Sequence, residues 1–321
     1  MNLSRRAFGA LAAALPTAAF AQTFPAQTIR LVVPFAPGNA TDITARVVAP
    51  PMSENLGQTI VIDNKSGASG VLGSAVVARS APDGHTLVMG TIASHCIAPM
   101  LMKSPPYDVL RDFAPVMQFV SLPNILAVHP SVPVRTVDEL IAYAKKAKGG
   151  LDYGSVGNGS SSHLAGELLR MRTGAPLNHI PYRDAAQAIT ALLDNQVPML
   201  FYGVAGVLPH IRAGRLRALA VASAARNPEA PDVPTMQEAG QADFVIEPWI
   251  GMFAPAQTPA TVLRRLHDSG KQAISKPEVV AQLKAQGFNI SGQDPDAFRS
   301  FIAQETARWS EVVRVANVSQ G

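Results

Sequence analysis

Short runs of β-branched and aliphatic residues alternate with amphipathic segments of helical length, and this alternation restricts the fold more than any other feature of the chain. Ile29 to Phe35 is the first such run, and Thr59 to Asp63 and Thr86 to Gly90 follow it, each before a helical pattern. Strands separated by helices form βαβ units, whose sheets are mostly parallel. The sequence therefore predicts an α/β fold.

The same alternation continues through the middle of the chain, where further strands are predicted. Their ranges are Leu151 to Ser155, Asn178 to Tyr182, Met199 to Tyr202 and Leu216 to Ala222. These strands predict a second α/β lobe. A later apolar run, Trp249 to Ala254, is predicted to rejoin the first sheet.

The first helix has two features that set its expected ends. Thr41 or Asp42 is the predicted N-cap, since short hydroxyl and carboxylate side chains accept from the free amides of a first turn. Pro50 and Pro51 come where the helix would still be continuing. Because proline removes a backbone donor and clashes with the preceding turn, the helix is predicted to end or kink near Val48.

Caps of later helices are clearer. Thr136 and Glu139 have capping-box spacing for a helix predicted to extend through Lys148. Asp184 is predicted to cap the helix from Ala185 to Leu193. The final helix begins at Pro295, and its apolar face is predicted to pack in the core.

The first 21 residues have the pattern of an export signal. Arg5 and Arg6 precede an apolar run from Ala7 to Ala18, and Ala19 to Ala21 has the small-x-small pattern of a cleavage site. Cleavage is expected near Ala21, leaving a periplasmic chain. The two arginines also resemble a twin-arginine signal, so the export route stays open.

Charge and cysteine content exclude several classes of protein. Beyond the signal, 25 basic residues oppose 23 acidic ones, a net charge of +2 that does not indicate nucleic-acid binding. Cys96 is the single cysteine, so an internal disulfide is excluded. The adjacent His95 and Cys96 are interpreted as buried packing, and neither a metal nor a cofactor is predicted.

Four loops rich in glycine and hydroxyl residues each follow a predicted strand and precede a helix. They span Phe35 to Asp42, Lys65 to Gly70, Thr91 to His95 and Ser155 to His163. The first amides of a helix lack internal partners, and the helix dipole adds positive potential there, so such a loop binds anions. In open α/β sheets, ligands bind beyond the carboxyl ends of the strands. The sequence therefore predicts an anion-binding cleft.

Catalysis is the competing interpretation. Gly154 to Gly157 resembles half of a nucleophile elbow, but Tyr153 occupies the position of the first glycine. His163 lies near Ser160 in sequence and has two possible roles, a general base or a hydrogen-bonding group at the helix start. Binding without catalysis is favoured, no catalytic residue is assigned, and a periplasmic enzyme on the same scaffold is the less favoured alternative.

Taken in order, several segments resemble the solute-binding proteins of tripartite tricarboxylate transporters, the Bug receptors, over essentially the whole chain beyond the signal. The matching segments are Val33 to Asp42, Asp63 to Gly70, Ala81 to Leu87, Arg111 to Val116, Tyr153 to His163, Ile180 to Tyr182 and Gly214 to Val221. The ordered set is more specific than any one motif.

This resemblance implies a type II periplasmic-binding-protein fold, with two α/β lobes around a ligand cleft and a two-stranded hinge. It places residues 22–122 and 248–321 in the first lobe and residues 123–247 in the second. It also implies a small carboxylate ligand that is captured by lobe closure and delivered to integral membrane transporter subunits. A monomer is expected, and a ligand-dependent sensor is the alternative.

The resemblance further implies that backbone amides, hydroxyls and water hold the carboxylate. Asn39 stands where the family has a second glycine, so the loop is expected either to be left-handed there or to change shape. Tyr202 stands where relatives place an acid; its presence favours a plain or aromatic carboxylate over an amino acid, unless it is a core residue. The predicted ligand-binding residues are Phe35, Gly38, Asn39, Thr41, Asp42, Ser66, Gly67, Ser94, Ser155, Asn158, Ser160, Ser161, His163 and Tyr202.

Overall fold

The computed structural model describes residues 24–316, and the predicted signal peptide with its cleavage near Ala21 lies outside them. The strands are β1 Ile29–Val33, β2 Ile60–Asn64, β3 Thr86–Thr91, β4 Phe113–Ser121, β5 Asn124–Val128, β6 Leu151–Ser155, β7 Leu177–Pro181, β8 Met199–Gly203, β9 Arg217–Val221, β10 Trp249–Pro255 and β11 Asn289–Gln293. The helices are α1 Ala40–Leu56, α2 Val71–Ala78, α3 Ala98–Met100, α4 Val109–Asp112, α5 Val137–Lys146, α6 Ser161–Thr173, α7 Ala185–Leu193, α8 Val204–Arg212, α9 Ala260–Ser275, α10 Pro277–Ala285 and α11 Pro295–Ala316.

The first sheet contains six strands in the order β11-β4-β10-β3-β1-β2. β1 pairs in parallel with β2 on one side and with β3 on the other. β10 runs antiparallel to both β3 and β4, and β11 runs antiparallel to β4. The carboxyl ends of β1, β2 and β3 therefore lie side by side at one edge of this sheet.

The second sheet contains five strands in the order β7-β6-β8-β5-β9. β6 pairs in parallel with β7 and with β8. β5 is antiparallel to β8 and β9, so it enters the sheet at the edge where β6 and β8 end. This edge of the second sheet carries the Ser155 to His163 loop.

Two hydrogen-bonded crossings join the sheets. The chain leaves the first sheet after β4, enters the second at β5, and returns at β10. The Leu122 amide donates to the Pro248 carbonyl at 2.7 Å, and the Asn124 amide donates to the Ile246 carbonyl at 3.3 Å. The two crossings thus form a two-stranded hinge, and the predicted two-lobed α/β fold is confirmed.

Alternate residues of β1 enter two different cores. Ile29, Leu31 and Val33 pack on the side of α1, whereas Val32 packs with Val88 on the opposite face of the sheet. All five side chains are fully buried. Because β1 is covered on both faces, its residues other than Arg30 are apolar, which is the pattern the sequence shows.

The start of α1 differs from its prediction. The helix begins at Ala40, and its N-cap is Asn39, whose side chain accepts from the Asp42 amide at 2.9 Å. The prediction that Thr41 or Asp42 caps it is wrong. Asn39 has the extended backbone of an N-cap, and its short amide reaches the third residue of the helix as aspartate or serine does.

α1 does not end near Val48, so the predicted end is wrong, while the predicted alternative of a kink stays a prediction. The helix continues through Pro50 and Pro51 to Leu56. Val48, Met52 and Leu56 lie on its buried side and pack into the core of the first lobe. This packing outweighs the loss of the backbone donors at the two prolines, since burying one large aliphatic side chain contributes about 2 kcal/mol.

Other caps follow their predictions more closely. Asp184 accepts from the Gln187 amide at 2.9 Å, which confirms it as the cap of α7. Thr136 accepts from the Glu139 amide at 3.1 Å, as in a capping box. The Glu139 carboxylate, however, accepts from the Arg135 amide and not from the Thr136 amide. α5 ends at Lys146, two residues before its predicted end at Lys148.

The apolar face of α11 is buried as predicted. Phe298 and Trp309 are fully enclosed, and Ile302 and Val312 are 1% and 2% exposed. α11 also contacts α6 of the second lobe. Among the helices of residues 24–316, none has the length and apolar character needed to cross a membrane.

Candidate functional site

Loops that follow β1, β2 and β3 meet at Gly70. This residue ends a 3-10 turn, Ala68–Gly70, and has a φ of +91°. A Cβ placed on it would lie 2.8 Å from the Ser94 Cβ and 3.0 Å from the Phe35 Cζ. Three of the four predicted loops therefore converge in the first lobe, and only glycine fits at their meeting point.

The turn before α2 has a costly backbone conformation. Gly67, Ala68, Ser69 and Gly70 have φ values of 140°, 47°, 53° and 91° in succession. Alanine and serine in the left-handed region each cost about 1–2 kcal/mol. Strain of this kind clusters at binding sites, where the surrounding structure compensates for it. The turn is thus a candidate to present its amides to a ligand.

Asp42 organises the loop after β1. Its carboxylate accepts from the Gly38 amide at 2.9 Å, from Arg46 Nε at 2.8 Å and from Asn64 Nδ2 at 2.9 Å. Burial opposes its ionisation, but these hydrogen bonds and the Arg46 charge outweigh burial and hold the pKa of Asp42 below its usual range. Asn64 Nδ2 also donates to the Phe35 carbonyl at 3.1 Å. Asp42 and Asn64 therefore fix the loop.

Amides at the start of α1 precede its internal hydrogen bonds. The Ile43 amide makes the first of these, to the Asn39 carbonyl at 2.9 Å, so the amides of Ala40 and Thr41 come before it. Gly38 takes the left-handed conformation at φ +84°, whereas Asn39 is extended at −81°. The alternative that Asn39 is left-handed is wrong, and the loop changes shape by capping the helix.

Ser94 lies in a π-helical turn, Ala93–Ile97, and its side chain points inward. The hydroxyl accepts from the Thr91 amide at 3.1 Å and lies 2.9 Å from His95 Nδ1, and the side chain is fully buried. Burial lowers the pKa of His95 to about 3, so this imidazole is neutral. The Ser94 hydroxyl is thus bonded within the protein, where it shapes the turn.

The second-lobe loop is built around the N-cap of α6. Ser160 accepts from the His163 amide at 3.3 Å, and its hydroxyl donates to the Gly157 carbonyl at 2.6 Å. The first internal bond of the helix runs from Leu164 to the Ser160 carbonyl at 3.0 Å. The amides of Ser161 and Ser162 precede this bond, as those of Ala40 and Thr41 do in α1.

Two stacked imidazoles support this loop from below. The rings of His163 and His179 are 3.7 Å apart at 10°. His163 Nδ1 accepts from the Gly159 amide at 3.0 Å, and His179 Nε2 lies 2.5 Å from the Ser155 hydroxyl. His179, on β7, is absent from the predicted set, because 24 residues separate it from Ser155 and only the pairing of β6 with β7 brings the two together.

Tyr202 lies near the end of β8, at the same sheet edge as Ser155. Its ring covers Gly206, where an added Cβ would lie 2.5 Å from the Tyr202 Cε1. The side chain is half-buried, and burial raises the pKa of its hydroxyl. Tyr202 is thus an uncharged group beside the carboxyl ends of the second sheet.

The loop clusters of the two lobes face each other. A Cβ placed on Gly159, in the second lobe, would lie 3.4 Å from Leu101 Cδ1 and 3.8 Å from Ile97 Cγ2, in the first. The second-lobe loop therefore approaches the chain just after the Ser94 turn. The carboxyl-end loops of the two sheets therefore lie on facing sides of one cleft.

The predicted residues divide by exposure. Thr41, Asp42, Ser94, Ser155 and His163 are buried beneath the loops. The others are partly or fully open to solvent, namely Phe35, Gly38, Asn39, Ser66, Gly67, Asn158, Ser160, Ser161 and Tyr202. Sequence reasoning missed Asn64, Gly70 and His179. Within residues 24–316, His, Cys, Asp and Glu do not form a group with metal-binding geometry.

Two α/β lobes joined by a two-stranded hinge, with helices that start from the carboxyl-end loops of both sheets, define a solute-binding receptor of the periplasmic-binding-protein type. The model of the tripartite tricarboxylate transporter family receptor, TctC, matches residues 44–318. The chain belongs to this family, and the predicted resemblance is confirmed.

Named relatives agree in sequence and in structure. Protein BugT of Bordetella pertussis is 39% identical over 295 residues, which cover 92% of this chain and 90% of BugT. The solved structure of R. palustris Rpa4515 with adipate has a TM-score of 0.76 at 33% identity and covers 92% of this chain and 99% of that one. MatC from Rhodopseudomonas palustris with bound malate has a TM-score of 0.73 at 32% identity, with coverage of 90% and 100%.

Proposed function

We propose that this chain is a monomeric periplasmic receptor that captures a small carboxylate and delivers it to the integral membrane subunits of a tripartite transporter. The proposal rests on the approach of Gly159, in the loop before α6, to Ile97 and Leu101 of the first lobe, whose helix α1 likewise starts from a carboxyl-end loop. Such helix starts stabilise a carboxylate through hydrogen bonds and the helix dipole. We assign residues 22–122 and 248–321 to the first lobe and 123–247 to the second.

The ligand class is narrowed by the solved relatives and by Tyr202. Rpa4515 was solved with adipate and MatC with malate, both of which are dicarboxylates without an amino group. Tyr202 places a neutral phenol at the cleft edge, at the position where an acidic side chain would receive a ligand ammonium. A plain or aromatic carboxylate is therefore the proposed ligand class.

Binding without turnover is the proposed chemistry. The Ser160 hydroxyl donates to the Gly157 carbonyl, and Ser155, although bonded to the His179 imidazole, is fully buried, so neither hydroxyl is presented to a ligand as a nucleophile. Ligand bridging the lobes would favour the closed form by its higher affinity for that form, and the membrane subunits would recognise the closed shape. Export with cleavage near Ala21 places the receptor in the periplasm.

A thermal-shift panel tests the ligand class. The protein without its first 21 residues is heated with adipate, malate, citrate, benzoate or aspartate, and with sodium sulfate as an inorganic control. A carboxylate at about 100 times its Kd raises the free energy of unfolding by roughly 2.7 kcal/mol. We expect a higher transition temperature with at least one plain carboxylate and none with sulfate. An unchanged transition with every carboxylate, or a response to aspartate alone, contradicts the proposal.

A further inference from the structure

His163, which is buried, and His179, which is half-buried, form a stacked pair of titratable groups next to the second-lobe loop. Each imidazole has a partner in that loop or at its start: His163 binds the Gly159 amide, and His179 binds the Ser155 hydroxyl. Ser155 in turn accepts from the Gly157 amide at 3.1 Å. The pair thereby fixes the backbone between the end of β6 and the start of α6.

The bond to Gly159 requires an unprotonated Nδ1 on His163. This nitrogen accepts from the amide at 3.0 Å, so a proton on it would place two donors against each other. The bond would break, and the Gly159 tip that approaches Leu101 would lose its anchor. The loop conformation is therefore linked to the protonation of one imidazole.

The two rings are so close that a positive charge on both at once is unfavourable. With centroids 3.7 Å apart, two imidazolium ions would repel each other. The other titratable groups packed around the pair are Tyr153, whose ring centroid lies 5.2 Å from that of His179, and Glu167. The Glu167 carboxylate accepts from the Tyr153 hydroxyl at 2.8 Å and from Arg170 Nη2 at 2.7 Å.

The Glu167 charge raises the pKa of both rings, but burial outweighs it, and the first-lobe residues nearest the loop tip, Ile97 and Leu101, are apolar. Burial consequently dominates the titration of both rings. It lowers the pKa of His163, and burial together with the His163 charge lowers the pKa of His179 to about 4.

We propose that His179 is a positioning residue of the binding site, which together with His163 holds the second-lobe loop in its ligand-binding form only while both imidazoles are uncharged. This proposal rests on the proposed function, from which it takes the carboxylate as the ligand. The unfolded chain binds protons near the ordinary histidine pKa of 6.5, above the folded values. The contribution of the neutral pair to the free energy of unfolding is therefore complete above about pH 6.5 and is lost as the pH falls toward 4.

Ligand-free protein tests the loop by NMR. We expect the Cε1 proton of His163 to titrate below pH 6.5 and that of His179 near pH 4, and the Gly159 amide to shift with the same midpoint as His163. Either histidine titrating near 6.5, or a Gly159 amide that does not respond while His163 titrates, overturns the proposal. This result does not depend on any ligand, so it separates a failed inference from a failed function.

Binding of adipate to variants tests the positioning role. His179→Phe keeps a ring in the stack but loses the bond to Ser155, and we expect about a tenfold weaker Kd at pH 7.5, the loss of roughly one hydrogen-bonded anchor. The terminal amide of His179→Gln reaches the place of Nε2, so it should recover most of that loss. Equal affinity of H179F and the native protein overturns the role.

The pH profile provides the second readout. Between pH 7.5 and 3.5 the native protein is expected to lose about fourfold more affinity for adipate than H179Q does, because an imidazole with a pKa of about 4 is mostly protonated at pH 3.5 and one linked proton contributes up to tenfold per pH unit below its pKa. Protonation of adipate itself acts equally on both proteins. His129→Gln is the matched control, since His129 follows β5 at the far edge of the second sheet, and it should keep the native profile. Superimposable profiles of H179Q and native protein overturn the proposal. If the native protein does not bind adipate at pH 7.5, the NMR titration decides the inference, and the full carboxylate panel decides the function.

Discussion

Replacing Gly70 with alanine is expected to lower the free energy of unfolding by about 3 kcal/mol and to weaken carboxylate binding by about tenfold or more. The new Cβ would meet Ser94 at 2.8 Å and Phe35 at 3.0 Å, so two loops must move apart. Overpacking of this kind costs about 1–3 kcal/mol, and a left-handed alanine adds about 1–2 kcal/mol. Chemical denaturation measures the first effect and calorimetry with the best carboxylate of the panel measures the second.

Gly57→Ala is the matched control for this variant. Gly57 has a φ of +71° at the end of α1, and an added Cβ would meet no atom within 4 Å. The free energy of unfolding of this variant should fall by only about 1 kcal/mol, the cost of alanine at a positive φ, and its affinity for the carboxylate should be unchanged. If G70A and G57A were equally stable and bound equally well, the convergence of the three first-lobe loops at Gly70 would be refuted.

Replacing Gly166 with alanine should have an effect of similar size in the second lobe. Its Cβ would lie 2.1 Å from Tyr153 Cε2, within a ring that is fully buried and bonded to Glu167. Since that ring cannot turn away, α6 must shift, and its N-terminal loop shifts with it. We expect a loss of about 3 kcal/mol in the free energy of unfolding and a weaker Kd for the carboxylate.

The comparison variant lies at the other end of the same helix. Gly174, with a φ of +62°, has open space where a Cβ would be placed. Gly174→Ala should lower the free energy of unfolding by about 1 kcal/mol and leave carboxylate binding unchanged. A G166A protein that kept native stability and affinity would show that α6 does not depend on close contact with Tyr153.

Strands were the most predictable part of the fold. The predicted ranges of β6 and α7 coincide with the structure, because the glycines on either side of β6 and a capping aspartate at Asp184 are local signals. Pro50 and Pro51 misled the prediction for α1, because their local penalty is outweighed by packing against residues far away in sequence. A helix boundary set by tertiary contacts has no local signal.

The candidate site was predictable in its loops but less so in the roles of side chains. Asn39 and Asp42 look like polar groups for a ligand, yet they hydrogen-bond within their own loop. Gly70 and His179 act through residues that approach only when strands pair, so spacing along the chain could not identify them. The one local hint was the glycine at the end of the Lys65 to Gly70 loop.

Backbone amide shifts on addition of a carboxylate test the central claim most directly. The claim is that helix starts from both lobes bind one anion, so the amides of Ala40 and Thr41 in α1 and of Ser161 and Ser162 in α6 should shift together, with one common Kd. Shifts confined to a single lobe, or saturating at different concentrations in the two lobes, would contradict the account.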